Sequence, residues 1–314
     1  MIGIVILNYQ TWEATRDCIE SIAANPPTGR YQIILVDNAS PNKPEYDLEE
    51  LVARHNVIYL HNEVNKGYNA GNNVGIARAL ELGCEFILIS NNDVQYHPGA
   101  IQTMRDYLQQ HPGVGIVGPK VIDCNGIVQR DSIFRRTGMR EKYLVRTRIH
   151  AICRNRYRSY FGWNRDYDKR QEDAYSVLGC CFMMSAKCAG DVTPLDEYPF
   201  LYEEELILGI RMEEAGYRTV YEPAAVVSHL HGESTGRCKA FSYGHNVRSE
   251  LYYCREYLHA KAWQVRPLYC YRTALYLLRC IRIRDFRQRW RWYCKVTGEE
   301  LRLYGKSINY HGCL

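Results

Sequence analysis

Ile2-Gly3-Ile4-Val5-Ile6-Leu7, followed at once by Asn8-Tyr9, is the stretch on which the fold turns. Six positions without a polar side chain suit a strand covered on both faces rather than a half-exposed one. The pattern then repeats. Residues 12–24 place Trp12, Ile19, Ile22 and Ala23 at helical spacing and stop at Asn25-Pro26-Pro27. Residues 31–36 form a second apolar run, closed by Asp37-Asn38-Ala39-Ser40-Pro41. A helix over 45–55, a strand over 57–60 and a helix from about 71 to 82 follow. A strand over 86–90 and a helix over 98–110 come next, the latter broken by His111-Pro112-Gly113. This alternation predicts an α/β fold with a mainly parallel sheet and helices on both faces. Ligands of such sheets bind beyond the carboxyl ends of the strands, where the polar clusters after Leu7, Val36 and Ile89 lie.

Residues 124–175 lose this periodicity. They are rich in Arg, Tyr and Asn and read as a partly irregular insertion. A strand over 177–185, a helix over 206–215 and short strands over 219–222 and 225–228 restore it. From Phe241 onward the pattern is mostly helical. The expected division is a catalytic domain over 1–236 and a basic, amphipathic helical extension over 237–314.

Composition narrows the class. The chain has 314 residues, 46% hydrophobic and 24% charged, enough to bury a sizeable core. No run of 18 apolar residues predicts a spanning helix, and the start lacks the basic and small-residue features of a secretory signal. A cytoplasmic protein is therefore expected. Thirteen cysteines without a Cys-x-x-Cys argue for reduced, mostly buried thiols over a zinc ribbon or disulfide framework. The net charge of +5 is uneven: residues 265–306 hold eleven Lys/Arg and three Asp/Glu, leaving the rest slightly acidic. In that tail Ala274, Leu277, Leu278 and Ile281 share one helical face, and Arg272, Arg279 and Arg282 the other. Two readings fit: an interfacial helix on an anionic surface, or a helix packed on the protein with a solvated basic face. Nucleic acid is not expected as a partner.

Four clusters carry chemistry. Asn8 and Tyr9 stand with Asp37 and Asn38 at the ends of the first two strands. A carboxylate there can accept the imide N–H of uracil or thymine, and an aromatic ring can stack on a base; Asp37 as a turn cap is the plain alternative. The run Asn65-Lys66-Gly67-Tyr68-Asn69-Ala70-Gly71-Asn72-Asn73 offers amides and close backbone approach to a ribose or diphosphate at a helix start. Ser90-Asn91-Asn92-Asp93 ends a buried strand with a carboxylate able to hold Mg²⁺ or Mn²⁺. Finally, Phe200-Leu201-Tyr202 leads into Glu203-Glu204-Glu205, with His229 and His231 beyond. An apolar lead-in would dry one of these acids and raise its pKa, making it a better base. His229, ending a strand, can offer a ring nitrogen to a metal, and His231 competes with it.

In this order the motifs resemble the inverting family 2 glycosyltransferases, most of all their rhamnosyltransferase-like branch, over about 1–234. The resemblance implies a GT-A fold, a nucleotide-binding Rossmann-like domain with a mixed, mainly parallel sheet. It implies Asp37 at the base and Asn65 and Asn72 near the ribose and diphosphate. It implies Asp93 and His229 at the metal, Asn91-Asn92-Asp93 standing where the family has Asp-x-Asp. Glu204-Glu205 occupies the family's acidic pair, whose second member is the base, so Glu205 takes that role with Glu204 beside it. Asn91 in place of an acid, Ile207 where many relatives carry Asp, and Glu205 in place of a shorter Asp are departures. The implied donor is a nucleotide-diphosphate sugar, dTDP-rhamnose first and UDP-sugars next. The implied acceptor is a glycan or lipid-linked saccharide of cell-surface polysaccharide synthesis, with the protein peripheral at the inner face of the plasma membrane. A Gly-rich basic loop for nucleotidyl transfer and a Gly-x-Gly-x-x-Gly for dinucleotides are both absent after Leu7. The remaining rival is a non-catalytic carbohydrate or nucleotide binder on the same fold.

Overall fold

A computed structural model of the chain describes residues 1–169, 171–230 and 239–304. His231, the competing histidine, and the 236/237 boundary lie outside the described residues. In chain order the elements are β1 (Ile2–Asn8), α1 (Trp12–Ala24), β2 (Tyr31–Asp37), α2 (Leu48–Arg54), β3 (Ile58–His61), α3 (Tyr68–Glu81), β4 (Phe86–Asn91), β5 (Val94–Tyr96), α4 (Ala100–Gln110) and β6 (Val114–Ile122). There follow α5 (Met139–Arg146), α6 (Ile149–Ile152), α7 (Arg154–Tyr160), β7 (Glu172–Ala174), β8 (Cys181–Ser185), α8 (Ala186–Val192), α9 (Glu204–Glu214) and β9 (Arg218–His229). The last four are α10 (Lys239–Glu256), α11 (Ala262–Arg282), α12 (Arg284–Gln288) and α13 (Trp290–Leu303). Among the described residues these fall into two units: 1–136, 155–200 and 204–230 in the first, 137–154, 201–203 and 239–304 in the second. The stretch read as an irregular insertion thus contributes three short helices, and its residues 137–154 group with the C-terminal helices.

The first unit is one mixed sheet in the order β3-β2-β1-β4-β8-β6-β9-β5, with β7 on β9. β1 runs parallel to both β2 and β4, and its register sets Asn8 beside Asp37 and Leu7 beside Asn91. β3, parallel to β2, adds His61 opposite Asp37. One row of carboxyl-terminal residues therefore crosses four strands. β8 reverses direction between β4 and β6, which makes the sheet mixed. The two short strands expected over 219–228 are a single strand, β9, whose register against β6 shifts between Pro119–Glu222 and Lys120–Val226. Pro223 falls in that shift, where its missing N–H costs the ladder nothing.

Alternate residues of β1 feed two cores. Ile2, Ile4 and Ile6 join Trp12, Ile19 and Ile22 of α1 on one face; Val5 joins Ile34, Val36, Ile87 and Ile89 on the other. That second face is covered by α3, whose backbone rests on the strand. A Cβ at Gly75 would fall inside van der Waals contact with Val5 Cγ1, and one at Gly71 with Leu7 Cδ1. Gly71 therefore serves helix-on-sheet packing.

The second unit is held by charge. Glu203, with a side chain 1% exposed, takes Lys142 and Arg146 Nη2, the latter at 3.1 Å. Arg146 Nε continues to Glu250 at 3.1 Å, and Arg272 closes on the other oxygen of Glu250 at 3.1 Å. Glu203 is thus the acid of the triplet that is dried, and its pKa moves opposite to the expectation. Burial pushes the carboxyl up, but Lys142 and Arg146 outweigh it and hold it below the usual range. This group stabilises the fold above an unfolded pKa of about 4.3, and that contribution is lost as pH falls through the lower folded value. Arg272 corrects the reading of a solvated basic face: it is buried, hydrogen bonded to Asn246 at 2.7 Å and stacked over Tyr243.

Two stability measurements test this account. Gly75→Ala should lower the urea-unfolding free energy by about 1–3 kcal/mol through overpacking against β1. Lys142→Met should cost roughly 3–5 kcal/mol by leaving a buried carboxylate short of a partner, and adding Glu203→Gln should recover much of that loss. A double variant no more stable than Lys142→Met alone would refute the coupling.

Candidate active site

Asn8 sits at the centre of a buried polar network. Its Nδ2 donates to Asp37 Oδ1 at 3.3 Å and Ser40 Oγ at 3.2 Å. Its Oδ1 accepts from Thr15 Oγ1 and from Asn92 Nδ2, both at 3.0 Å. Asn92 Nδ2 also reaches the Thr11 carbonyl at 2.9 Å and Thr15 Oγ1 at 2.8 Å. Both amides are therefore committed to protein. Asn91 ends β4, where its N–H donates to the Cys180 carbonyl at 2.8 Å. Tyr9, at the rim, is exposed.

Asp37 is nearly buried, yet four side chains surround it. Besides Asn8 and Ser40, His61 Nδ1 lies 3.0 Å and the Tyr59 hydroxyl 3.4 Å from Oδ2. His61 is half exposed, so the pair opens to solvent on that side. Neither His61 nor Tyr59 stands out in the sequence; only the parallel register of β3 brings them here.

The Asn-rich run divides its amides. Asn38 Nδ2 donates to Asn65 Oδ1 at 3.0 Å and to the Gly67 carbonyl at 3.1 Å, and Asn65 Oδ1 also accepts the Gly67 N–H at 2.9 Å. Gly67 has φ +108°, and a Cβ there would stand 2.5 Å from the Phe200 carbonyl oxygen, so this position needs glycine. Asn69 and Asn73 hold the backbone of Asp196 at 2.7 Å and Leu195 at 2.9 Å. Asn72 is different. Its Nδ2 caps the Tyr68 carbonyl, while its buried Oδ1 has no hydrogen-bond partner among the described residues. A buried amide oxygen without a protein partner is one that a ligand could satisfy.

The acidic end closes the site. His229 Nε2 and Asp93 Oδ1 lie 3.2 Å apart, with side chains 13% and 21% exposed. Antiparallel pairing of β5 with β9 places Val94 opposite His229, which accounts for the approach of two residues 136 positions apart. Glu205 lines a small cavity with Tyr175, Val177, Phe182 and Thr219. The link between these groups is Cys180. Its buried thiol is pushed well above its ordinary pKa by desolvation, then by Cys181, Asp93 and Glu205. One neutral thiol thus stands within the field of both carboxylates. Tyr68, whose hydroxyl donates to the Gly179 carbonyl at 2.6 Å, is likewise raised by burial and then by Glu205. Gly179 matters most here: a Cβ would stand 2.5 Å from Glu205 Oε1. Among the described residues no group of three or more His, Cys, Asp or Glu forms a ready-made metal cage.

The family model for glycosyl transferase family 2 matches residues 3–189, more than half of the chain. The chain belongs to glycosyl transferase family 2. It is a glycosyltransferase on the GT-A fold. The matched segment holds Asp37, Asn72 and Asp93; Glu205 and His229 lie beyond it, and the pairing of β5 with β9 brings His229 to Asp93. The chain is 28% identical over 231 residues to an N-acetylglucosaminyl-diphospho-decaprenol L-rhamnosyltransferase of Mycobacterium tuberculosis, covering 69% of this chain and 71% of the relative. It is 26% identical to the low-salt glycan biosynthesis hexosyltransferase Agl10 of Haloferax volcanii, covering 65% and 59%. Among solved structures, GalNAc-T7 with UDP, GalNAc and Mn²⁺ superposes with a TM-score of 0.55 at 14% identity, covering 74% of this chain. S. aureus TarS 1-349 superposes with a TM-score of 0.52 at 13% identity, covering 81%. The chain spans 44% of the first of these and 65% of the second.

In this family 2 enzyme Gly179 leaves room for the end of a flexible glutamate rather than for backbone. Gly179→Ala should therefore fold normally by circular dichroism but displace the Glu205 carboxylate. A shift of about 1 Å should slow turnover by about 10²-fold; unaltered turnover would detach Glu205 from the chemistry.

Proposed function

We propose that the chain is an inverting, divalent-metal-dependent glycosyltransferase. The donor is a nucleotide-diphosphate sugar, dTDP-rhamnose as first candidate and UDP-hexoses next. The acceptor is a hydroxyl of a glycan or lipid-linked saccharide. The observation that carries this reading is the Asp93–His229 pair, 3.2 Å apart, sharing the neighbourhood of Cys180 with Glu205. The likeness to a rhamnosyltransferase whose named acceptor is a prenyl-linked sugar diphosphate supports the donor and acceptor classes.

The donor set fits Mg²⁺ or Mn²⁺. Asp93 Oδ1 and His229 Nε2, 3.2 Å apart, would hold the ion together with oxygens of the donor. When bound, the ion supplies positive charge against the departing diphosphate.

The chain's own residues do the rest. Asp37, fixed by Asn8 and Ser40, presents its remaining acceptor capacity to a pyrimidine imide. Asn72 Oδ1 offers an acceptor to a donor hydroxyl. Glu205 removes the proton from the acceptor hydroxyl. The freed oxygen forms a bond to the anomeric carbon from the face opposite the diphosphate, the bond from that carbon to the diphosphate oxygen breaks, and the nucleoside diphosphate leaves. Glu204, one residue earlier, is the alternative base. An acceptor carried on a lipid would bring the enzyme to a membrane surface.

Glu205→Gln should reduce turnover by about 10²–10⁴-fold while donor affinity by calorimetry stays within twofold, roughly. Loss of turnover in Glu204→Gln but not Glu205→Gln would move the base by one residue. EDTA or Asp93→Asn should abolish metal-dependent donor binding. A wild-type chain that binds sugar nucleotides yet never transfers or hydrolyses them, with or without metal, would mark a non-catalytic binder.

A further inference from the structure

Helix α11 carries apolar side chains on both its buried and its exposed face. Its buried positions are Val265, Leu268, Arg272 and Tyr276. Arg272, the charged member, is consumed by Glu250, Asn246 and Tyr243. The outward face carries Trp263 at 70% exposure, Leu277 at 46%, Leu278 at 59% and Ile281 at 72%. Pro267 and Ala274 are exposed between them. These positions are spaced by three, four or seven residues, with Leu277 and Leu278 side by side, so they form one stripe along a helix about 30 Å long. The stripe is far from the scattered single apolar residues of an ordinary surface.

Its borders are cationic at both ends. Lys261 and Arg266 flank the Trp263 end; Arg282, Arg284 and Arg287 flank the Ile281 end, all exposed. Arg287 is held there by the carbonyls of Cys280 at 3.0 Å and Ile281 at 3.1 Å. No acidic residue occurs between Glu256 and Asp285, and Asp285 is taken by Arg289 at 3.0 Å.

We infer that this face of α11 seats on a bilayer containing anionic lipid. The apolar stripe enters the headgroup boundary, Trp263 lies at the interface, and the bordering cations meet lipid phosphates. A second copy of the chain is the other way to cover an apolar stripe, and the charge pattern disfavours it. Because both ends of the helix are cationic, pairing two copies in either orientation sets cation against cation. An anionic surface satisfies both ends at once. The inference stands independently of the transfer reaction, since it is read by binding alone.

The test is flotation of the full chain with phosphatidylcholine vesicles, with and without phosphatidylglycerol, at low and high salt. The wild-type protein should float with phosphatidylglycerol vesicles, less so at high salt. Leu277→Gln/Leu278→Gln/Ile281→Gln should lower the partition coefficient roughly tenfold or more with an unchanged melting temperature, since these side chains face solvent. Arg282→Gln/Arg284→Gln should lose the preference for phosphatidylglycerol. Absence of wild-type flotation, or equal flotation of the triple variant, would overturn the inference. So would a wild-type dimer in sedimentation that the triple variant dissolves while lipid binding is absent.

Discussion

The carboxamide of Asn8 is buried at the end of the central parallel strand, out of contact with bulk water. A buried amide without partners costs several kcal/mol, roughly, and a fully satisfied network rigidifies what it touches. Asn8 settles this by bonding in two directions, to Asp37 and Ser40 on the β2 side and to Thr15 and Asn92 on the α1 and β4 side. The consequence reaches beyond stability. Asp37 is oriented because one of its oxygens is occupied by Asn8 and Ser40. The turn that carries Asp93 is anchored because the preceding residue, Asn92, is tied to α1. Asn8 and Asn92 thus spend their hydrogen bonds on protein, Asn8 on Asp37 and Asn92 on Asn8 and Thr11.

A second constraint is space. Asp93 and Glu205 both act on the thiol of Cys180 in the segment leading into β8, and the side chains there are small: Gly179 followed by two cysteines. Cys180 stays protonated because burial and two neighbouring carboxylates all disfavour the thiolate. It therefore adds no third negative charge beside Asp93 and Glu205. A larger residue at 179 would collide with Glu205. The strand β8, antiparallel to both of its neighbours, follows directly on this segment.

Much of this was legible in the sequence, for physical reasons. β1 and α1 are marked by an unbroken apolar run and a clean 3.6-residue period ended by two prolines. The polar clusters at strand ends stand out because parallel strands are otherwise featureless. β6 escaped because Gly115, Gly118 and Pro119 interrupt its apolar run. Those glycines are packing devices: a Cβ at Gly118 would clash with Val177 and one at Gly115 with Cys188. His61, Tyr59 and Gly179 escaped because register, not local pattern, makes them neighbours of Asp37 and Glu205. The acid triplet was legible as a group but not individually. Its buried member is Glu203, and the partners that set its pKa, Lys142 and Arg146, lie 61 and 57 residues away.

The C-terminal helices show how far composition misleads when direction is unknown. Eleven Lys/Arg over residues 265–306 suggest a basic face in water, yet Arg272 is buried in a hydrogen-bonded ion cluster while Leu277, Leu278 and Ile281 are exposed. Burying an arginine costs several kcal/mol, roughly, unless the cluster around it is complete. Leaving large aliphatic side chains in water forgoes about 1.5–3 kcal/mol for each that could have been buried. Turning the helix over would bury those leucines but expose Val265, Leu268 and Tyr276 and strand Glu250 without Arg272. The buried face is thus held by packing and by the Arg272–Glu250 pair together, and the leucines face out. The charge network that holds the second unit together and the apolar stripe it presents are two consequences of one choice of helix face.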